Sequence, residues 1–116
     1  MTSCVEENLM VFNDFLFQSI DETITALLSR EVADALFDRM QRKHSVSKSE
    51  VPYKLETLCS TIEQIFGHAG SETIYRAIAK KFYAKLGLVF SSNHSQTLIE
   101  YVEEAKIKLE KGEGQL

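Results

Sequence analysis

Large apolar side chains recur every three or four residues along most of the chain, and this spacing constrains the fold more than any other feature. An α-helix turns by about 100° per residue, so side chains with this spacing fall on one helical face. A single proline and five glycines among 116 residues leave few points at which a helix would be broken. The sequence therefore predicts an all-α fold. The clearest run is Leu9, Phe12, Leu16, Ile20, Ile24 and Leu27.

The length and composition of the chain favour one domain. With 44% hydrophobic and 26% charged residues, the chain resembles an ordinary globular protein. A domain of this size can bury a core without disulfides or structural metals. We expect a compact bundle of about five helices. Its predicted parts are an apolar N-terminal extension continuous with helix 1 (residues 1–14), the helical domain (15–111) and a disordered tail (112–116).

Residues with capping chemistry predict where the helices begin and end. Ser29 suits the N-cap of a second helix, because its hydroxyl can accept a hydrogen bond from an unpaired amide. Pro52 suits the first turn of a third helix, where a missing N–H is harmless. Gly67 and Gly87 are expected to end the third and fourth helices, since glycine readily adopts the left-handed conformation there. Ser95 is expected to cap the fifth.

The apolar faces of these helices define the expected core. Cys59 lies on the apolar face of the third helix with no basic residue within one turn. A reactive thiolate needs a basic and partly open site, so we expect Cys59 to pack in the core. The other predicted core residues are Phe12, Leu16, Ile20, Ile24, Leu27, Leu36, Met40, Leu58, Ile62, Phe66, Ile74, Ile78, Phe82, Leu98 and Val102.

The sequence contains no arrangement of residues that predicts catalysis, a metal or a cofactor. The three histidines, His44, His68 and His94, stand far apart, whereas a helix-borne metal pair has a spacing of three or four residues. Cys4 and Cys59 form no CxxC motif. We therefore expect no enzymatic activity, no metal ion and no cofactor.

The N-terminal residues and the cysteines indicate a compartment. Acidic residues precede the first apolar stretch, whereas a signal peptide begins with positive charge. No uninterrupted apolar run approaches the ~18 residues of a membrane span. Two cysteines in a chain with a sufficient core suit a reducing environment. These features predict a cytoplasmic protein without a membrane partner.

Three segments follow one another in an order that resembles a known family. They read ETLCSTIEQIFG (56–67), ETIYRAIAKKFYAKLGLVF (72–90) and LIEYVEEAK (98–106), and residues 18–52 form a matching lead-in. The most specific parts are IFG, the KLGL close and YVEEAK. Over residues 15–111, the chain resembles the Nitrosopumilus output domain family, type five. Its members are small helical domains, some of them fused behind receiver domains of archaeal two-component systems.

The resemblance implies a signalling output or adaptor domain. It supplies no catalytic residue, because the family has no established activity. This sequence departs from the fused members, since it has no receiver domain and its first fourteen residues are an extension. A signalling role would then operate in trans or through self-association.

The first helix carries more apolar residues than one face requires. Either the helix is central in the bundle and covered on several sides, or its outer face binds a protein partner or a second copy. Both interpretations remain open from the sequence. The candidate partner-binding residues are Leu9, Phe12, Phe15 and Phe17.

A basic set on the fourth helix gives an alternative function, a nucleic-acid-binding transcriptional regulator. Arg76, Lys80, Lys81 and Lys85 could contact phosphates. Neighbouring lysines diverge by about 100° on a helix, however, and Tyr83 is the one nearby aromatic residue for base stacking. The net charge of −4 also opposes attraction of a polyanion. We therefore expect a solvated surface and no nucleic-acid partner.

Overall fold

The structure, a computed structural model, is an all-α bundle, as the sequence predicts. It describes residues 3–91 and 96–114, and within these ranges the side chains from residue 9 onward. The predicted number of about five helices is confirmed. The helices are α1 (Ser3–Leu27), α2 (Arg30–His44), a 3-10 helix (Lys48–Tyr53), α3 (Leu55–Leu86) and α4 (Leu98–Glu110).

Helix α1 passes through residues 14 and 15 without a break and packs mainly against α3. It contributes a continuous stripe of buried side chains, namely Phe12, Leu16, Ile20 and Ile24. The rings of Phe12 and Phe82 meet edge to face, with centroids 5.0 Å apart. The core prediction is wrong for Leu27, which is 50% exposed because α1 ends there and no described residue covers it.

Helix α2 begins and ends as its sequence predicts. The Ser29 hydroxyl oxygen accepts a hydrogen bond from the Val32 N–H at 3.1 Å, which confirms the N-cap. The last turn carries three basic residues, at the end where the helix dipole favours cations. The inner face of α2 buries Ala33, Leu36, Phe37 and Met40.

The segment after α2 differs from the prediction. Pro52 lies inside the 3-10 helix, and α3 begins only at Leu55. Ser47 starts the 3-10 turn, since its backbone N–H donates to Glu50 Oε1 at 3.0 Å and its hydroxyl donates to the same atom at 2.9 Å. The prediction that Pro52 opens the third helix is wrong because this capping interaction winds the chain several residues earlier.

Helix α3 is bent at Gly67, where the sequence predicts a break. Gly67 has φ 76° and ψ 179°, a conformation that is essentially restricted to glycine. The chain is helical again beyond it, so the predicted third and fourth helices form two arms of one kinked helix. Tyr75 joins the arms, since its hydroxyl lies 3.0 Å from the Cys59 carbonyl oxygen and 2.9 Å from Glu63 Oε2.

Helix α3 ends at Gly87, as predicted. Gly87 has a positive φ of 71°, and its N–H donates to the Ala84 carbonyl oxygen at 3.2 Å. The Leu88 N–H donates to the Tyr83 carbonyl oxygen at 2.9 Å. This pair of bonds is the Schellman motif, and it turns the Leu88 side chain back into the core.

Helix α4 has a different cap from the one predicted. Thr97 Oγ1 accepts from the Glu100 N–H at 3.2 Å, and Glu100 Oε1 accepts from the Thr97 N–H at 2.9 Å. Thr97 is therefore the N-cap, and the predicted cap Ser95 lies outside the described residues. The Tyr83 hydroxyl donates to the Tyr101 carbonyl oxygen at 2.7 Å and so fastens α3 to α4.

The other predicted core residues are buried except Phe66, which is half-buried at the end of the first arm of α3. Residues 112–114, part of the predicted tail, are exposed, and two of them are hydrogen-bonded to the last turn of α4. The N–H groups of Gly112 and Glu113 donate to the carbonyl oxygens of Leu109 and Lys108, each at 3.0 Å. Residues 115 and 116 of that predicted tail lie outside the described residues.

Candidate protein-interaction surface

The stripe of α1 that forms the core continues beyond the part of the bundle that covers it. Leu9 lies one turn before Phe12 and is 48% exposed. Met10, beside it, is 62% exposed, and Tyr53 of the 3-10 helix is 64% exposed. We refer to the surface formed by Leu9, Met10 and Tyr53 as the α1 patch.

Two adjoining grooves open at the α1 patch. The larger, with a volume of about 710 Å³, lies between α1, the start of α3 and α4. The smaller, of about 270 Å³, lies between α1 and the 3-10 helix. Both are lined by Asn13, Pro52 and Tyr53. The buried side chains that line the larger groove are Phe12, Leu16 and Val102. The exposed apolar side chains of the patch therefore lie beside two concave surfaces.

Asn13, which lines both grooves, carries an unsatisfied hydrogen-bond donor. Its Nδ2 atom is buried and has no acceptor within the described part of the chain. A buried donor without an acceptor costs about 1–3 kcal/mol. Because the atom has almost no accessible surface, another molecule could not reach it unless the side chain moved.

The four partner-binding residues predicted from the sequence have different environments in the structure. Leu9 is exposed in the α1 patch. Phe12 does not fit the predicted role, because it is only 4% exposed and its ring is packed in the core. Phe15 and Phe17 are half-buried against the core, and the Phe17 ring packs on that of Phe37 with centroids 5.4 Å apart. Phe15 and Phe17 thus cover the bundle from a second side, whereas Met10 is exposed in the α1 patch.

Tyr53 and Asn13 are not among the surface residues predicted from the sequence. The 3-10 helix brings Tyr53 next to α1, whereas the sequence predicts Tyr53 in the first turn of an α-helix that begins at Pro52. The one signal in the sequence for this turn is the capping spacing of Ser47 and Glu50. That spacing indicates a helical turn but does not show that the turn packs beside α1.

Two of the predicted phosphate-binding residues are engaged with α1. Lys81 Nζ and Lys85 Nζ each lie 3.4 Å from Glu22 Oε1, and Lys85 Nζ also donates to Gln18 Oε1 at 3.3 Å. Although partial burial raises the pKa of Glu22, the hydrogen bonds and positive charges of these lysines outweigh it and lower that pKa below its usual value. The carboxylate is thus ionised at neutral pH and offsets the positive charge of this surface.

The remaining members of the basic set form no continuous stripe. Lys80 is exposed, whereas Arg76 is half-buried and its Nε has no acceptor among the described residues. Tyr83, the predicted stacking residue, is buried and hydrogen-bonded to α4. Base stacking requires an exposed aromatic ring, and the ring of Tyr83 is therefore not available for it.

Neither the histidines nor the acidic residues form a metal site in the described ranges. His44 is exposed at the end of α2, and exposed His68 has its Nε2 3.1 Å from Glu72 Oε1. The third histidine, His94, lies outside the described residues. Among the side chains of residues 9–91 and 96–114, no group of three or more from histidine, cysteine, aspartate or glutamate is placed to hold a metal ion.

Cys59 packs in the core, as the sequence predicts, and is 6% exposed. Burial raises the pKa of its thiol to about 11, and the negative charge of Glu63 adds to the rise. We expect iodoacetamide to modify Cys59 at least about a hundredfold more slowly in the native protein than in the urea-unfolded chain, since the thiolate is the nucleophile. Mass spectrometry of a Cys4→Ser variant, which retains only this thiol, measures the rate. Equal rates in the two states would contradict a closed core at Cys59.

No helix in the described ranges combines the length and the apolar character needed to cross a bilayer. In comparisons with known proteins, no family model, no curated protein and no solved structure matches the chain.

Proposed function

We propose that the protein is a non-enzymatic protein-interaction module that binds a partner or a second copy through the α1 patch. The observation that carries the proposal is the exposed end of the α1 stripe beside two grooves. Removing Leu9, Met10 and Tyr53 from water would favour association.

The biological setting proposed for this module is an output or adaptor role in cytoplasmic signal transduction, such as an archaeal two-component system. This part of the proposal is supported by the sequence resemblance over residues 15–111. An interaction module suits such a role, because a partner that changes state needs only a surface to bind.

Regulation of transcription by nucleic-acid binding remains the alternative from the sequence, but no observation favours it over protein binding. Glu22 offsets the charges of Lys81 and Lys85, and Tyr83 is buried. A cation set of this kind would make few of the phosphate contacts on which such binding depends.

The double substitution Leu9→Asp/Met10→Asp tests the proposal. We expect it to weaken self-association or partner binding at least about tenfold, since each buried apolar side chain contributes about 1.5–3 kcal/mol and tenfold corresponds to about 1.4 kcal/mol. Sedimentation equilibrium measures self-association, and isothermal titration with an isolated partner measures hetero-association. Circular dichroism verifies that the variant remains helical.

Leu27→Asp is the matched control. Leu27 lies on the same line of α1 as Leu9, about five turns away, and is equally exposed, but it lines neither groove. Association of this variant should equal that of the wild type. The proposal is wrong if Leu27→Asp weakens binding as much as the double substitution, or if the wild-type chain binds neither itself nor another protein.

A further inference from the structure

Charged side chains of both signs line the two grooves beside the α1 patch. Among the side chains described from residue 9 onward, three are positive and three are negative, although the chain as a whole has a net charge of −4. The described lining of the grooves is thus mixed in sign. The positive members are Lys48, Lys54 and Lys106, and the negative members are Asp14, Glu56 and Glu103.

Most of these charges are available to another molecule. Among the described residues, Asp14, Lys54 and Glu56 take part in no ion pair within 4.0 Å. Lys106 and Glu103 are 3.9 Å apart and both exposed, so water screens their attraction. A surface that approaches the patch could therefore pair with lysines and carboxylates alike.

We infer that the partner of the α1 patch is a second copy of this chain, related by a twofold axis; this rests on the proposed function. A twofold interface places the same patch on both sides, so the patch must complement itself. A surface of one sign would repel its own copy, whereas a surface that carries both lysines and carboxylates can oppose each lysine with a carboxylate. A nucleic acid or a strongly charged protein would instead favour a patch of one sign.

Opposite charge reversals test the inference. Lys54→Glu changes the net charge of the groove lining by −2, and Asp14→Lys changes it by +2. Both positions are exposed. We expect each variant alone to self-associate at least about tenfold more weakly than the wild type, because like patches repel. An equimolar mixture should form a heterodimer, detected by native mass spectrometry and analytical ultracentrifugation, and rising salt should weaken it.

Lys43→Glu, which reverses an exposed lysine on α2 outside both grooves, is the control and should leave self-association unchanged. A mixture no more associated than its two components would overturn the inference. So would a wild-type chain that is monomeric at all concentrations. In that case the proposed function stands only if another protein binds and Leu9→Asp/Met10→Asp abolishes its binding, and it falls together with the inference if nothing binds.

Discussion

Replacing Phe82 by alanine should lower the free energy of unfolding by about 3–5 kcal/mol, measured by urea denaturation followed by circular dichroism. The Phe82 side chain is fully buried in α3. Its ring meets Phe12 edge to face at 5.0 Å and Tyr83 at 6.5 Å between centroids. The truncation removes these contacts and leaves a cavity where α1 packs on α3, the largest helix interface of the bundle.

Val89→Ala is the control for this loss. Val89 follows the end of α3 and is 82% exposed, so its truncation should change stability by no more than about 0.5 kcal/mol. The total stability of a domain is only about 5–15 kcal/mol, so Phe82→Ala could unfold the chain. Phe82→Leu removes less of the side chain and provides a less destabilised variant for the same measurement. A loss under about 1 kcal/mol for Phe82→Ala would contradict the burial of this ring.

The features that the sequence predicts correctly depend on neighbouring residues. The stripe on α1 follows from side-chain spacing alone, and so does most of the core. Ser29, Gly67 and Gly87 mark helix ends because each acts on its own backbone or on amides within a few residues. Such local chemistry is fully contained in a short stretch of sequence.

One incorrect prediction, the start of the third helix at Pro52, concerns a local turn. The others concern contacts between distant residues. Leu27 and Leu9 have the same spacing as Phe12, but only the packing of the other helices determines which of them is covered. Likewise, the pairing of Lys81 and Lys85 with Glu22 requires that α1 and α3 be neighbours. Burial and charge at the candidate site therefore followed from the tertiary structure.

The packing role of α1 and the binding role proposed for it involve different parts of the helix. The same face that packs on α3 at Phe12 becomes the exposed patch at Leu9, one turn earlier. We therefore expect a substitution at Phe12 to change the stability of the bundle, and a polar substitution at Leu9 to change mainly the proposed binding. The sequence groups these residues because spacing alone does not distinguish them.

Gly67→Ala should destabilise the protein by about 1–3 kcal/mol in thermal or urea unfolding, even though alanine is the better helix former. At φ 76° and ψ 179°, Gly67 has a backbone conformation that side-chain-bearing residues avoid. A Cβ atom added there would have no neighbour within 4 Å, so the penalty comes from the backbone and not from a clash. The hydroxyl of Tyr75 opposes straightening of the bend, because it holds the second arm of α3 to Cys59 and Glu63.

Gly70→Ala is the matched control, three residues further along α3 in a regular helical turn. Alanine at this position should stabilise the protein by at most about 1 kcal/mol, because it is a better helix former than glycine. A close contact of its Cβ atom with that of Phe66, at 3.2 Å, reduces this gain. The two substitutions are chemically identical. Their effects on the free energy of unfolding should nevertheless differ in sign or by at least about 1 kcal/mol. If Gly67→Ala stabilised the chain as much as Gly70→Ala, α3 would be a straight helix, and the bend that sets its two arms against α1 and α4 would not exist.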